Sequence, residues 1–232
     1  MIPLRDDNPT STRPLVTLGL IVACCLVFLW QISLGPTGFE RAVFSLGLIP
    51  AVLFGSAHLE PGLEVVPAGL TVFSSMFLHG GWMHLIGNML YLWIFGNNIE
   101  DAMGHARFIV FYLLCGVSAA LAQAVFEATA QIPMVGASGA ISGVLGAYLL
   151  LYPHARVQVL VPFGFIMHMM SLPALLVLGF WFLLQLISSA AAMAGEGGTA
   201  WFAHLGGFIA GMALIPLFKH RGVRFFNPPR RH

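Results

Sequence analysis

The stretch Val135-Gly136-Ala137-Ser138-Gly139-Ala140-Ile141-Ser142-Gly143 opens an apolar run that continues to Leu151. Ser138 lies among small residues, so another backbone could closely approach its hydroxyl. The simpler interpretation is a serine that caps a helix within a small-residue packing motif. The choice between these interpretations depends on the other polar residues that the apolar segments carry.

The composition predicts a chain that lies in a lipid bilayer. Of its 232 residues, 58% are hydrophobic and 8% are charged, whereas soluble domains carry roughly 25% charged residues. Six apolar runs each approach the roughly 20 residues that a membrane span needs. These runs fall at about 14–34, 82–99, 105–126, 138–152, 171–193 and 201–218. We therefore expect one all-α membrane domain over residues 1–232, built as a six-transmembrane-helix bundle.

The connections and the charges predict how the bundle is oriented. The long connection 35–81 is amphipathic although rich in Gly and Pro, which favours short helices at the membrane interface. With the N-terminus in the cytoplasm, nine Lys and Arg residues fall in cytoplasmic segments and only Arg41 falls outside. This asymmetry is the positive-inside signal. The polar segment Met1–Arg13 precedes a full-length span without a small-residue cleavage signal, so we expect an anchor rather than a removed signal peptide.

The charge balance also bears on partners. The net charge of +1 gives no reason to expect a nucleic-acid partner. We interpret the basic tail Lys219–His232 as an orientation signal that contacts lipid headgroups. Cys24, Cys25 and Cys115 lie in apolar runs and are expected to pack as small apolar residues, without a disulfide or metal role.

Three spans are predicted to bring polar residues to one depth. The runs 82–99, 138–152 and 201–218 all enter from the outer face, and polar groups inside a membrane tend to mark function. Their outer ends carry His79, His84, Asn88, Ser138 and His204. The run 138–152 is only about 22 Å long as a helix, against a hydrocarbon core of about 30 Å. Its start is therefore expected below the outer surface, in a water-accessible pocket.

The residue types in this layer are typical of nucleophilic catalysis. Ser138 would begin a helix, whose free N–H groups favour a developing negative charge. His204 precedes a GxxxG pair, Gly207 and Gly211, and such a face lets two helices approach closely. If the partner is the run 138–152, with its own Gly139, Gly143 and Gly146 and with Gly136 just before it, the imidazole could activate the Ser138 hydroxyl. The alternative is a histidine whose hydrogen bonds are satisfied at a helix interface.

His84 and Asn88 are four residues apart and share one helix face. Both can donate hydrogen bonds to an oxyanion. The alternative is that they form interhelical hydrogen bonds that hold the bundle together. No Asp or Glu falls in this layer, so a Ser–His dyad is the simpler hypothesis. We expect no metal, since H-E-x-x-H is missing from the sequence, and a zinc site would leave Asn88 and Ser138 unexplained. No motif indicates a cofactor.

Three stretches together resemble the rhomboid family of intramembrane serine proteases, in its compact six-span bacterial form. They are His79-Gly80-Gly81-Trp82-Met83-His84-Leu85-Ile86-Gly87-Asn88, Gly136-Ala137-Ser138-Gly139 and Ala203-His204-Leu205-Gly206-Gly207. The resemblance implies Ser138 as nucleophile, His204 as general base, and His84 and Asn88 at the oxyanion. It also implies cleavage of transmembrane protein substrates near the outer face of the bacterial inner membrane, with both termini cytoplasmic.

The chain departs from the family's pattern at two places. Where the family often has an aromatic residue four positions after the serine, this chain has Ser142, and Glu40-Arg41 stands where many members carry Trp-Arg. A different class of function is a non-catalytic rhomboid-like module for membrane-protein binding or quality control. Such a module typically lacks the serine or the histidine, and this chain has both. The glycine-rich loop Ala194–Ala200 is interpreted as either a mobile cap over the site or a simple turn.

Overall fold

The computed structural model describes residues 1–163, 166–193 and 200–227 of the chain. Helices make up most of the described chain. They are α1 (Leu15–Ser33), α2 (Gly35–Leu46), α3 (Pro50–Leu53), α4 (Thr71–Ser74), α5 (Trp82–Tyr91), α6 (Asn97–Met103), α7 (His105–Phe126), α8 (Ser138–Leu151), α9 (Ala174–Met193) and α10 (Trp201–Phe218). A 3₁₀ turn, Ala68–Leu70, precedes α4, and a π-helical segment, Leu92–Gly96, joins α5 to α6 without a break.

The long helices follow the apolar runs. Among the described residues, α1, α7 and α10 are long and apolar enough to cross a membrane. Their bounds agree with the predicted runs 14–34, 105–126 and 201–218 to within one residue. The run predicted at 171–193 begins later, at Ala174, because residues 171–173 belong to a strand. The expected cap or turn at Ala194–Ala200 falls almost entirely on residues 194–199, which lie outside the described residues.

A small antiparallel sheet corrects the expectation of an all-α fold. Its strands are β1 (Ile2–Asp6), β2 (Arg156–Phe163) and β3 (Ile166–Pro173), in the order β1-β2-β3. Arg156 pairs with Pro173, and Ile2 pairs with Leu160. Residues 153–170, predicted as a plain connection, therefore form most of a hairpin. The physical reason is the alternation of β2, in which Val157 and Val159 are fully buried while Gln158 is only partly buried.

The connection between α1 and α5 contains short helices, as its amphipathic sequence predicts. The helices α2, α3 and α4 and the 3₁₀ turn all lie within it. Leu48 ties it to the segment before α8 through two backbone hydrogen bonds with Met134, at 3.0 and 2.7 Å. The position of these helices at a membrane interface stays a prediction.

Helix α8 is the buried centre of the bundle. Every residue from Gly139 to Tyr148 is buried, so α8 is enclosed by protein along most of its length. A Cβ atom at Gly207 would overlap the carbonyl oxygen of Gly139, and one at Gly211 would overlap that of Gly143. The backbones of α8 and α10 are therefore in direct contact, because neither helix has side chains along this seam.

Candidate active site

Ser138 is the first residue of α8, and the turn before it depends on glycine. Gly136 has a φ of +125°, a conformation that side-chain-bearing residues rarely adopt, and its N–H donates a 2.8 Å hydrogen bond to the Ser75 carbonyl. A Cβ at Gly136 would also lie 2.7 Å from the imidazole of His84. This turn leaves Ser138 half-buried at the N-terminus of α8, where backbone N–H groups have no partner within the helix.

His204 is brought to Ser138 by the contact between α8 and α10. The Nε2 atom of His204 lies 2.8 Å from the Ser138 Oγ. The Nδ1 atom lies 2.7 Å from the Oε1 atom of Gln185, on α9. Because an amide oxygen only accepts hydrogen bonds, Nδ1 carries the proton and Nε2 can accept the proton of the Ser138 hydroxyl.

Two tryptophans surround the imidazole of His204. The rings of Trp181 and Trp201 have their centroids 6.0 and 6.1 Å from that of His204. Ser142, four residues after Ser138, has no aromatic ring that could stack on the imidazole. Its hydroxyl instead donates a 2.7 Å hydrogen bond to the Ser138 carbonyl within α8. The histidine is thus packed by aromatic side chains from α9 and α10 rather than from α8.

His84 and Asn88 lie beside the turn that precedes Ser138. Their Nε2 and Nδ2 atoms lie 2.7 and 3.6 Å from a Cβ built on Gly136. Within the described part of the chain, the buried Nδ2 atom of Asn88 has no hydrogen-bond partner. The Gly80 N–H approaches the Nδ1 atom of His84 at 3.4 Å, an arrangement that leaves the proton on Nε2. Two donor nitrogens therefore lie next to the start of α8.

One cavity of about 520 Å³ connects these groups. Its lining includes Ser138, His204, His84 and Asn88, together with Trp181 from α9. His79 is not among the lining residues. It is fully buried, its ring centroid lies 5.2 Å from that of His84, and its backbone N–H donates a hydrogen bond to the Oε1 atom of Gln31. Over the residues that the structure describes, no group of three His, Cys, Asp or Glu side chains is placed to hold a metal ion.

Gln185 is the residue of this site that the sequence did not reveal. It is buried, and it is the only amide or charged residue in α9. That isolation within an apolar helix is a signal, because a buried amide needs a hydrogen-bond partner. The sequence does not show which residue is the hydrogen-bond partner, however, because His204 lies 19 positions further along the chain.

Comparison with known proteins identifies the family. A sequence model of the rhomboid domain matches residues 68–221, more than half of the chain. Rhomboid protein 1, mitochondrial, from Saccharomyces cerevisiae is 31% identical over 129 residues, which cover 53% of this chain and 37% of that protein. Rhomboid protease GluP from Bacillus subtilis is 32% identical over 145 residues, which cover 62% of this chain and 25% of that protein.

A third relative, Rhomboid-like protease 5 from Toxoplasma gondii, is 38% identical over 163 residues, covering 66% of this chain and 16% of that protein. The chain thus spans well under half the length of these curated relatives. The rhomboid-domain match includes α5, α8, α9 and α10, the four helices that form the cavity wall. From the match over residues 68–221, this chain belongs to the rhomboid family.

Proposed function

We propose that this chain is an intramembrane serine endopeptidase, in which Ser138 is the nucleophile and His204 is the general base. The observation that carries the proposal is the 2.8 Å separation of the Ser138 Oγ and His204 Nε2 atoms at the wall of the cavity. A serine hydroxyl is a weak nucleophile until an adjacent base accepts its proton. The proton on Nδ1 of His204 leaves Nε2 free to accept the hydroxyl proton.

Acylation follows from this arrangement. The Ser138 Oγ attacks the carbonyl carbon of the scissile peptide bond, and the hydroxyl proton passes to Nε2 of His204. The carbonyl oxygen becomes an oxyanion, which the His84 and Asn88 side chains and the Ser138 N–H bind. The tetrahedral intermediate then collapses, the C–N bond breaks, and the protonated His204 gives its proton to the leaving amine.

Deacylation repeats the sequence with water. His204 accepts a proton from a water molecule as the water oxygen attacks the carbonyl carbon of the acyl-enzyme ester. Collapse of this second intermediate breaks the bond to Oγ, returns the proton to Ser138 and releases the new carboxyl terminus. Each oxyanion donor is worth roughly 10²–10³ in rate, because it is already oriented before charge develops.

The substrates are transmembrane proteins, cut near the outer side of the membrane. In the proposed topology, with six spans and both termini in the cytoplasm, the start of α8 lies toward the outer face, and the distribution of basic residues supports that orientation. A bacterial inner membrane is the proposed location. Met83 and Gly87 from α5 and Trp181 from α9 all line the cavity, so we expect a substrate to enter between these two helices. Small residues in the substrate would ease unwinding at the cut site.

The decisive experiment is cleavage of a helical reporter in liposomes by the wild type, Ser138→Ala and His204→Ala. We expect each substitution to lower kcat by about 10⁴-fold or more, because removing either reacting group disables the pair. A fluorophosphonate probe should label the wild type and leave Ser138→Ala unlabelled. Wild-type cleavage by Ser138→Ala would overturn the proposal that Ser138 is the nucleophile. Absence of both cleavage and labelling in the wild type would instead favour a non-catalytic binding module.

The matched control is Ser33→Ala. Ser33 ends α1 and its hydroxyl donates to the Trp30 carbonyl, away from the residues that line the cavity. We expect this variant to cleave and to be labelled as the wild type is. Equal losses in Ser33→Ala and Ser138→Ala would mean that the assay reports folding and not catalysis.

A further inference from the structure

The hydrogen bond between Gln185 and His204 joins a third helix to the serine–histidine pair. Gln185 is 8% exposed, and its Oε1 atom lies 2.7 Å from the Nδ1 atom of His204. Its neighbours along α9 are apolar from Phe180 to Ile187. Burying an amide without a partner costs roughly 1–3 kcal/mol, so an amide at this position needs a function or a bond that offsets the cost.

We propose that Gln185 is the positioning residue of this site, which holds His204 in the tautomer that can accept the Ser138 proton. The proposal rests on the proposed peptidase function. Among the described residues, no carboxylate hydrogen-bonds to His204, and the Gln185 oxygen occupies the place that an aspartate takes in a Ser-His-Asp triad. Only an acceptor at Nδ1 fixes the proton there and keeps Nε2 free.

A neutral amide differs from a carboxylate in what it supplies. It orients the ring and selects the tautomer, but it gives less stabilisation to the imidazolium that forms during acylation. Gln185 therefore acts through His204 and does not touch substrate. Its loss should lower kcat and leave KM nearly unchanged, since substrate contacts are not altered.

The serine–histidine distance and the histidine tautomer depend on different helix contacts. The Ser138–His204 distance is set by the glycine contact between α8 and α10, whereas the tautomer is set from α9. Outward displacement of α9 would break the Gln185 bond without separating the serine from the histidine. The site is thus complete only when α9 is packed against α10.

The test compares Gln185→Leu with Gln185→Glu in the liposome assay. We expect Gln185→Leu to lower kcat by about 10–100-fold, the range found when the hydrogen bond that orients a metal-bound histidine is removed. Gln185→Glu should restore most of the rate, because a carboxylate at this position also accepts from Nδ1. The ¹⁵N shifts of the His204 ring should show the proton on Nδ1 in the wild type and a mixture of tautomers in Gln185→Leu.

Gln123→Leu is the matched control. The Oε1 atom of Gln123 accepts a 3.1 Å hydrogen bond from the Ala203 N–H, one residue before His204, and is not bonded to the imidazole. This variant should lose stability but keep the ¹⁵N shifts of His204. Two results would overturn the positioning role of Gln185 alone. One is the wild-type His204 tautomer in Gln185→Leu, and the other is wild-type kcat in Gln185→Leu while Ser138→Ala is inactive. Wild-type activity of Ser138→Ala overturns the peptidase function itself.

Discussion

Replacing Gly207 with alanine perturbs the site from outside the cavity. The new methyl group would overlap the Gly139 carbonyl oxygen, far inside the 3.0 Å that real Cβ contacts respect. The methyl group is bonded directly to the α10 backbone and the oxygen belongs to the α8 backbone, so α8 and α10 must separate by roughly 1 Å. The bond from the Ser138 Oγ to His204, now 2.8 Å, would lengthen to about 3.8 Å, beyond hydrogen-bonding distance. Since a 1 Å misplacement can cost 10²-fold, we expect kcat to fall by about that factor.

The assay measures kcat and KM for the helical reporter in liposomes, together with thermal unfolding in detergent. Overpacking should cost about 1–3 kcal/mol of stability, which leaves a folded population to assay. The control is Gly179→Ala on α9, because a Cβ there meets no atom within 4 Å. That variant should keep the wild-type kcat. A folded Gly207→Ala variant with wild-type kcat would refute the claim that backbone contact sets the serine–histidine distance.

Two further predictions concern the end of the bundle where β1 and the start of α1 lie. Burial raises the pKa of Asp6 from 3.8 to about 6, against the lowering effect of the 2.5 Å hydrogen bond from the Tyr148 hydroxyl. The stabilising contribution of protonated Asp6 is therefore complete below about pH 4 and lost as the pH rises through about 6. Asp6→Asn should flatten the dependence of Tm on pH over this window, and an unchanged slope would contradict the assignment. Glu100 is fully buried and accepts hydrogen bonds from the N–H and the hydroxyl of Thr17. Since hydrogen bonds to a charged group are worth about 1.5–3 kcal/mol, Glu100→Gln should lower the free energy of unfolding by about 3 kcal/mol. Glu60→Gln, at an exposed position, should not lower it.

The sequence predicted the helices and the approach of Ser138 and His204 from two separate physical signals. Apolar runs of sufficient length have little alternative to a helix in lipid, since every backbone polar group must be paired. Small residues then mark where two helices meet, and Gly139, Gly207 and Gly211 lie at the contact. Both signals are local in the sequence and need no knowledge of distant partners.

The features that the sequence did not predict depend on distant partners. The strand β1 is short, and its partner β2 begins more than 140 residues later. The bond from Gln185 to His204 depends on the rotation of α9, and an apolar helix that faces lipid and protein leaves little periodic signal for that rotation. The lack of an Asp or Glu in the layer of Ser138 and His204 therefore did not indicate that an amide lies beside the histidine.

The π-helical segment Leu92–Gly96 determines how α5 is rotated about the helix axis relative to α6, which continues the same helix. A π turn accommodates an extra residue, and each residue of an α-helix corresponds to about 100° of rotation. His84 and Asn88 lie in the half before the segment, while Glu100, in the half after it, accepts hydrogen bonds from the start of α1. A single-residue deletion within the segment would therefore restore a regular helix and turn one half away from its partners. The alignment of His84 and Asn88 with the start of α8 thus depends on the number of residues in a segment that follows both of them in the chain.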